Sequence, residues 1–404
     1  MRFAWLVCLC VSSLLLAGSA DQEINVNTRY TVESVELSGQ DKAAISTGLR
    51  SELTHLIGEK LNPTALDDLA VRIRRELHVH EVSHRVLRGV NPNHVRVVFD
   101  VKRPAAKFEV SAPKLLYQSQ EGFTGKLEGT ALIGAQAFTI GAVSDGDELA
   151  ERYEGIVARY EDRALATDRV RFSFEFDSFH EQWSPEAQDS AALYRTREDL
   201  EPLVTFVLSR PLTVTVGASF ERIQPELPAA RTESANAMVT TLRYHHRVEG
   251  SGALQQEWDA GYSLRAAATS FGSDFSYARH RAEVHYLCSW GQNTIADDFT
   301  LGLITGNAPL FERFVLGNST MLRGWNKFEL DPLGGNRVVH NSVEYRYGFF
   351  QIFYDSGAIW DQGQTAVLRH SLGVGLRRNG LNAALAFPLR EGHIEPVFMV
   401  GMNY

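Results

Sequence analysis

Residues Gly317 to Asp361 read GNSTMLRGWNKFELDPLGGNRVVHNSVEYRYGFFQIFYDSGAIWD, and this stretch decides the fold. It joins a Gly/Pro-punctuated connection to two strongly alternating strands. In Val338–Tyr347 the even positions Val338, His340, Ser342, Glu344 and Arg346 are mostly polar. The odd positions Val339, Val343, Tyr345 and Tyr347 are apolar, with Asn341 the exception. A period of two puts these sets on opposite faces of a strand. The parity reverses in Phe349–Asp355, where Phe350, Ile352 and Tyr354 are the apolar set and Asp355 shares the other face with Gln351. The connection before them holds one arginine, Arg323, among Met321, Leu322, Gly324 and Trp325. A guanidinium in such surroundings needs a carboxylate, and Glu344 and Asp355 point the same way from adjacent strands.

The rest of the chain is organised around similar strands. Past Pro104, runs of about ten residues with period two are separated by Gly/Asp/Ser/Pro clusters. Clear examples are Tyr153–Asp162, Val170–Phe179, Leu203–Ser209, Leu212–Arg222, Ala237–Val248, Trp258–Ala267, Tyr277–Trp290 and Asp297–Thr305. Val338–Tyr347, Phe349–Trp360, Val367–Arg378, Leu381–Pro388 and Ile394–Tyr404 follow the connection. Weaker runs between Lys107 and Val143 bring the total to about sixteen antiparallel strands, an even number as closure of a bacterial barrel requires. A short turn is expected at Asp147–Glu151. No segment after the N-terminal run approaches eighteen uninterrupted apolar residues, so helical spans are excluded, whereas dyad alternation escapes a hydropathy window. The connection over residues 306–336 is the outlier in length. With Phe311, Phe314, Leu316, Leu322, Trp325 and Phe328 it is too apolar to float in water. The glycines of Val367–Arg378, Gly373 and Gly375, fall on the inner face and are expected to leave room for it.

The N-terminus carries Arg2, an apolar run from Phe3 to Ala17 and the small residues Gly18-Ser19-Ala20. That pattern is a secretory signal over residues 1–20, with the mature chain starting at Asp21. Cys8 and Cys10 leave with it, so Cys288 remains alone and no internal disulfide is expected. Residues 21–104 then give a β-α-α-β-β pattern. Thr31–Ser38 is β-prone and stops at Gly39. Ile45, Leu49 and Leu53 mark an amphipathic helix ended by Gly58. Asn62 caps and Pro63 opens a second helix with the stripe Leu66, Leu69, Ile73 and Leu77. Val79–Val90 and Val95–Val101 are strands. Acids and bases balance over this region, so the net charge of −9 belongs to the remainder, and nothing suggests nucleic acid.

Leu322-Arg323-Gly324-Trp325 in a long loop, Leu333-Gly334-Gly335-Asn336 after it, Glu344 in a Glu-x-Arg strand, Asp355 in an Asp-x-Gly strand and a terminal aromatic together resemble the outer-membrane assembly-factor and two-partner-secretion superfamily, the bacterial surface antigen family. The resemblance implies an α+β POTRA domain over residues 21–104, followed by an all-β transmembrane barrel over residues 105–404. It implies that the loop folds into the lumen and that Arg323 latches onto Glu344 and Asp355, with Gly324 letting the backbone turn closely. Trp325 stands where another aromatic is usual. Phe398, Val400, Met402 and Tyr404 share one face of the last strand and resemble the insertion signal of outer-membrane barrels.

The implied function is translocation or insertion of unfolded polypeptide clients at the bacterial outer membrane, without nucleotide or other cofactor. The POTRA domain would lie in the periplasm, and its open strand edge would add a client strand. Lipid and periplasmic accessory proteins are the further expected partners. A passive or structural barrel is the alternative, and a barrel phospholipase a remote one. No Gly-x-Ser-x-Gly, His-Glu-x-x-His or phosphate-cradling loop occurs, so no enzymatic activity is expected. His78, His80, Glu81 and His84 form a cluster in which the three histidines would share one strand face, but Val82 interrupts them and no fourth ligand is offered in a recognisable spacing. They are read as surface histidines, and no metal site is expected.

Overall fold

The computed structural model describes residues 29–38, 45–77, 79, 81–102, 106–111, 113–146, 151–163, 165, 167, 169–184, 193–226, 231–249, 254–390 and 395–402. The expected signal over residues 1–20, the first-strand stop at Gly39, His78, His80 and Tyr404 lie outside these residues, as does most of the turn expected at Asp147–Glu151. Two compact units emerge, one ending at Lys102 and the other running from Arg103.

The first unit consists of β1 (Thr31–Ser38), α1 (Thr47–His55), α2 (Pro63–Glu76), β2 (Glu81–Arg88) and β3 (His94–Lys102). Its sheet order is β1-β3-β2, with β1 parallel and β2 antiparallel to the central β3. The Asn62 side chain accepts from the Thr64 N–H at 3.1 Å, satisfying one of the free donors that every helix start leaves. Ser46, which sequence reading passes over, does the same for α1 through the Leu49 N–H. Leu49, Leu53, Leu66, Leu69 and Ile73 pack inward with Val32, Val97 and Phe99. Leu77 only caps α2 and is half-buried. His84 lies 3.5 Å from Asp67, and among the described residues no three His, Cys, Asp or Glu side chains are grouped to hold a metal ion.

The second unit is all β. Its strands are β4 (Lys107–Val110), β5 (Lys114–Gln118), β6 (Gly122–Ile133), β7 (Gln136–Asp145), β8 (Glu151–Asp162), β9 (Val170–Trp183) and β10 (Tyr194–Ser209). Next come β11 (Leu212–Pro225), the two-residue β12 (Glu233–Ser234), β13 (Ala237–Glu249), β14 (Gln255–Ala267), β15 (Ser276–Trp290) and β16 (Asn293–Asn307). Five follow the long loop: β17 (Arg337–Tyr347), β18 (Phe350–Trp360), β19 (Arg369–Arg378), β20 (Leu381–Pro388) and β21 (Val397–Met402). β4 and β5 both pair with β6, and β12 and β13 both pair with β11, so these strands make a closed antiparallel barrel of 16 wall positions. Among the described residues no helix is long and apolar enough to cross a membrane, which says nothing of crossing by strands.

Alternation explains the wall. Val343, Tyr345 and Tyr347 on β17 and Phe350, Ile352 and Tyr354 on β18 are exposed outward, while Val338, His340, Ser342, Glu344, Gln351 and Asp355 are buried toward the lumen. Cys288 sits in β15, as a strand residue should. Phe398 and Val400 of β21 face outward. At one end the hairpins are tight. Asn379 (φ 49°) and Gly380 (φ 82°) both occupy the left-handed region that a two-residue turn between β19 and β20 demands.

Two expectations need correction. β10 starts at Tyr194, not Leu203, because Arg197, Asp199 and Glu201 break the hydrophobic signal while pointing into the lumen. Gly373 and Gly375 do not clear space for the loop directly. A Cβ at Gly373 would overlap the Phe353 ring, and one at Gly375 would meet the Ala383 carbonyl and the Gln351 amide.

Candidate functional site

The loop between β16 and β17 is tied at its base. Phe314 and Gly335 exchange both backbone hydrogen bonds at 2.9 Å, so the intervening chain closes on itself. Its apolar side chains then pack on the inner wall. Phe314, Leu316, Leu322 and Trp325 are buried with Tyr277, Ile304 and Val338. Leu322 takes a left-handed φ of 51°, which costs an L-residue about 1–2 kcal/mol. The conformation is held because Leu322 is fully buried and its N–H donates to His340 Nε2 at 3.0 Å.

That turn aims Arg323. Its Nε and Nη2 donate to the two oxygens of Asp355 at 2.9 and 2.8 Å, a parallel fork, and its own backbone N–H reaches the same carboxylate at 2.9 Å. Nη1 donates to Glu344 at 3.1 Å, and Nη2 also contacts Ser342 Oγ at 3.0 Å, which itself donates to Asp355 at 2.6 Å. Beneath the guanidinium lies the Phe353 ring, 3.5 Å from its centroid. The Asp355 side chain is 1% exposed and that of Arg323 11%. Water is therefore excluded, and the pair belongs to the class whose disruption is expensive. Burial would lower the arginine's proton affinity, but the Asp355 hydrogen bond and the Asp355 and Glu344 charges raise it above its ordinary value.

The structure thus brings together Arg323, Glu344 and Asp355, with Leu322 and Gly324 shaping the turn. A Cβ at Gly324 (φ 93°) would sit 3.1 Å from Ala386 and Pro388. Trp325 donates from Nε1 to the His370 carbonyl at 3.1 Å, with the Arg390 guanidinium 4.8 Å from its ring. Phe398 and Val400 lie on the exposed outer side of β21, opposite the face that this group occupies. Sequence reading missed Ser342, His340 and Phe353, although the same parity that picked Glu344 and Asp355 places all three on the inner face. Phe353, an aromatic among inward polar residues, was the available signal.

Further ties had no linear signal. Glu312 accepts from Tyr277 OH at 3.1 Å and pairs with Arg265 at 3.1 Å and Arg279 at 3.4 Å. Arg265 also faces Glu201, Glu221 at 3.6 Å and Asp199 at 3.8 Å. Arg313 pairs with Asp361 at 2.7 Å. Lys327 binds Glu151, 176 residues away, and lies 3.6 Å from Asp145. Burial would depress the Lys327 pKa, yet these two carboxylates hold it above the usual lysine value.

One prediction concerns the support under Arg323. Gly373→Ala should push the Phe353 ring out of its place and lower stability by about 1–3 kcal/mol, as overpacking generally does. Loss of the compact, heat-resistant form at a lower temperature on a gel would show it. A wild-type melting temperature would mean that the ring carries no load.

A family model described as the Omp85 superfamily domain matches residues 146–387. Among solved structures the chain is similar to BamA from Haemophilus ducreyi lacking POTRA domains 1–3, at 15% identity and a TM-score of 0.66, covering 93% of this chain and 84% of that one. It is also similar to CdiB from Acinetobacter baumannii (11% identity, TM-score 0.57, 92% and 74% covered) and CdiB from Escherichia coli (11%, 0.53, 93% and 76%). At these identities the likeness concerns the fold. Among curated protein sequences none matches the chain.

Proposed function

This chain belongs to the Omp85 superfamily of outer-membrane β-barrels, and from that premise we propose that it captures unfolded polypeptides in the periplasm and inserts them into, or passes them across, the outer membrane. The observation that carries the reading is the loop bound inside the lumen by Arg323, Asp355 and Glu344. A passive pore gains nothing from a plug fastened with buried charges, whereas a translocator must keep its lumen closed until a client arrives.

Two features supply the steps. The first unit acts as a single POTRA domain on the periplasmic side. Its β2 is an edge strand, and beside it lies a hollow of about 640 Å³ lined by Leu61, Leu66, His84 and Val86. An extended client adds to that edge through main-chain hydrogen bonds and seats alternate side chains in the hollow. The barrel then offers the seam between its last and first strands, four residue pairs between β21 and β5 among the described residues, as the place where a strand inserts or leaves. Client folding supplies the driving force, so this reading needs neither a nucleotide nor bond chemistry. Periplasmic accessory proteins would deliver the clients.

A photo-crosslinking residue at Val86, on the β2 edge, should capture unfolded outer-membrane or secreted polypeptides in living cells. Capture of nothing, together with steady ion current through wild-type barrels in a planar bilayer, would replace this reading with that of a passive channel.

A further inference from the structure

The loop does more than occupy the lumen. Within six residues it touches both flanks of the barrel seam. On the C-terminal flank Arg323 holds Asp355 of β18 and Glu344 of β17, Gly324 packs on Ala386 and Pro388 of β20, and Trp325 holds the His370 carbonyl of β19. Lys327 is on the other side. Its backbone N–H donates to Glu121, in the turn between β5 and β6, at 2.8 Å. Its ammonium binds Glu151 at the start of β8, lies 3.6 Å from Asp145 at the end of β7 and is 5.3 Å from the Tyr153 ring centroid. Phe328 then meets Trp183 of β9, with ring centroids 5.9 Å apart.

Between these flanks lies a short pairing in the wall. Among the described residues β21 and β5 pair from Met399↔Gln118 to Met402↔Leu115, extended by the Ser119 N–H to the Phe398 carbonyl at 2.9 Å. Most neighbouring pairs run for eight or more residues. Four pairs cannot by themselves resist parting as the rest of the barrel does.

We infer that residues 323–328 form an internal strap that holds the β21–β5 seam closed, and that Lys327 is its positioning residue on the N-terminal flank. Arg323 anchors the strap and Lys327 closes it. With the Lys327 ammonium released, the strap stays attached to β17 and β18 and keeps its backbone bond to Glu121, while β7 and β8 lose their hold and the N-terminal flank moves more easily away from β21. The tie is buried, since the Lys327 side chain is 16% exposed and that of Glu151 8%. It therefore has the strength of a desolvated ion pair rather than a surface one. The importance of this closure for clients rests on the translocator reading above, but the strap itself is a property of the barrel.

Hydrogen exchange on the folded barrel in detergent, with no client present, tests it. Lys327→Met should speed exchange at the amides of Leu115–Gln118 and Met399–Met402 by about tenfold or more, leaving Ser342–Asp355 protected, because local opening is read strand by strand. Lys327→Met strands the Glu151 carboxylate, so the double variant Lys327→Met with Glu151→Gln removes the closer of the two charges facing Lys327, leaving Asp145, and should show the same local opening. Unchanged seam exchange, uniform acceleration around the barrel, or a double variant that behaves as wild type would each overturn the strap. Because no client is assayed, that result would not touch the translocator reading, and failed client capture would not touch the strap.

Discussion

Arg323→Ala should remove about 3–5 kcal/mol from the folded barrel and with it much of the heat-resistant, compact form. The variant leaves Asp355, which is fully buried, and Glu344 without their shared cation, and a buried charge deprived of its partner is what makes such a change costly. Lysine should rescue only in part, because an ammonium cannot reproduce the fork onto both Asp355 oxygens or stack flat on Phe353. The pairing itself is tested by a cycle with Asp355→Asn. If the two groups act on each other, the double variant will be less damaged than the sum of the singles by about 0.5–3 kcal/mol. Additive losses would mean that Arg323 acts through some other contact. In a planar bilayer the same variant should show ion conductance that wild type lacks, since the loop loses its anchor in the lumen.

What could be read from the chain follows from the range of the interactions involved. Period-two alternation is local, so nearly every strand from β8 onward is legible, as are the helix start at Asn62-Pro63 and the inward parity of Glu344 and Asp355. The first half of β10 was not, because its inward side is charged and alternation was sought in hydrophobic residues. Placement of Arg323 against those two acids needed only adjacent strands and one loop between flanking elements. Lys327 with Glu151, by contrast, joins groups whose nearness exists only after the barrel closes, and neither side chain has a feature that marks it in sequence. The role of Gly373 was misplaced for a related reason. Parity gave the face it occupies, but not that Phe353 from the neighbouring strand fills the space above it.

The same limit hides a second concentration of buried charge. Arg265 on β14 faces Glu312 from the start of the loop together with Asp199, Glu201 and Glu221 from β10 and β11, and Glu221 is fully buried. Arg197 and Arg279 flank the group but each reaches only part of it, at 3.7 Å from Glu221 and 3.4 Å from Glu312. Arg265→Met keeps the length and apolar stem of the side chain while removing the one cation that touches all four acids. The expected loss is at least the roughly 3–5 kcal/mol of a broken buried pair, and it should exceed that of Arg323→Ala because four carboxylates rather than two are left facing one another. Restoring neutrality should recover much of it. Arg265→Met combined with Glu312→Gln and Glu201→Gln should be more stable than Arg265→Met alone, because removing both signs of a buried charge group costs less than removing one. Denaturant unfolding of the three barrels ranks them directly, and a single variant as stable as wild type would show that Arg265 is not the hub. The loop supplies a second measure: with Glu312 loosened but Arg323 still bound, a protease should cut between residues 308 and 316 before it cuts near Trp325. Cutting at both places together would mean that the two anchors release as one.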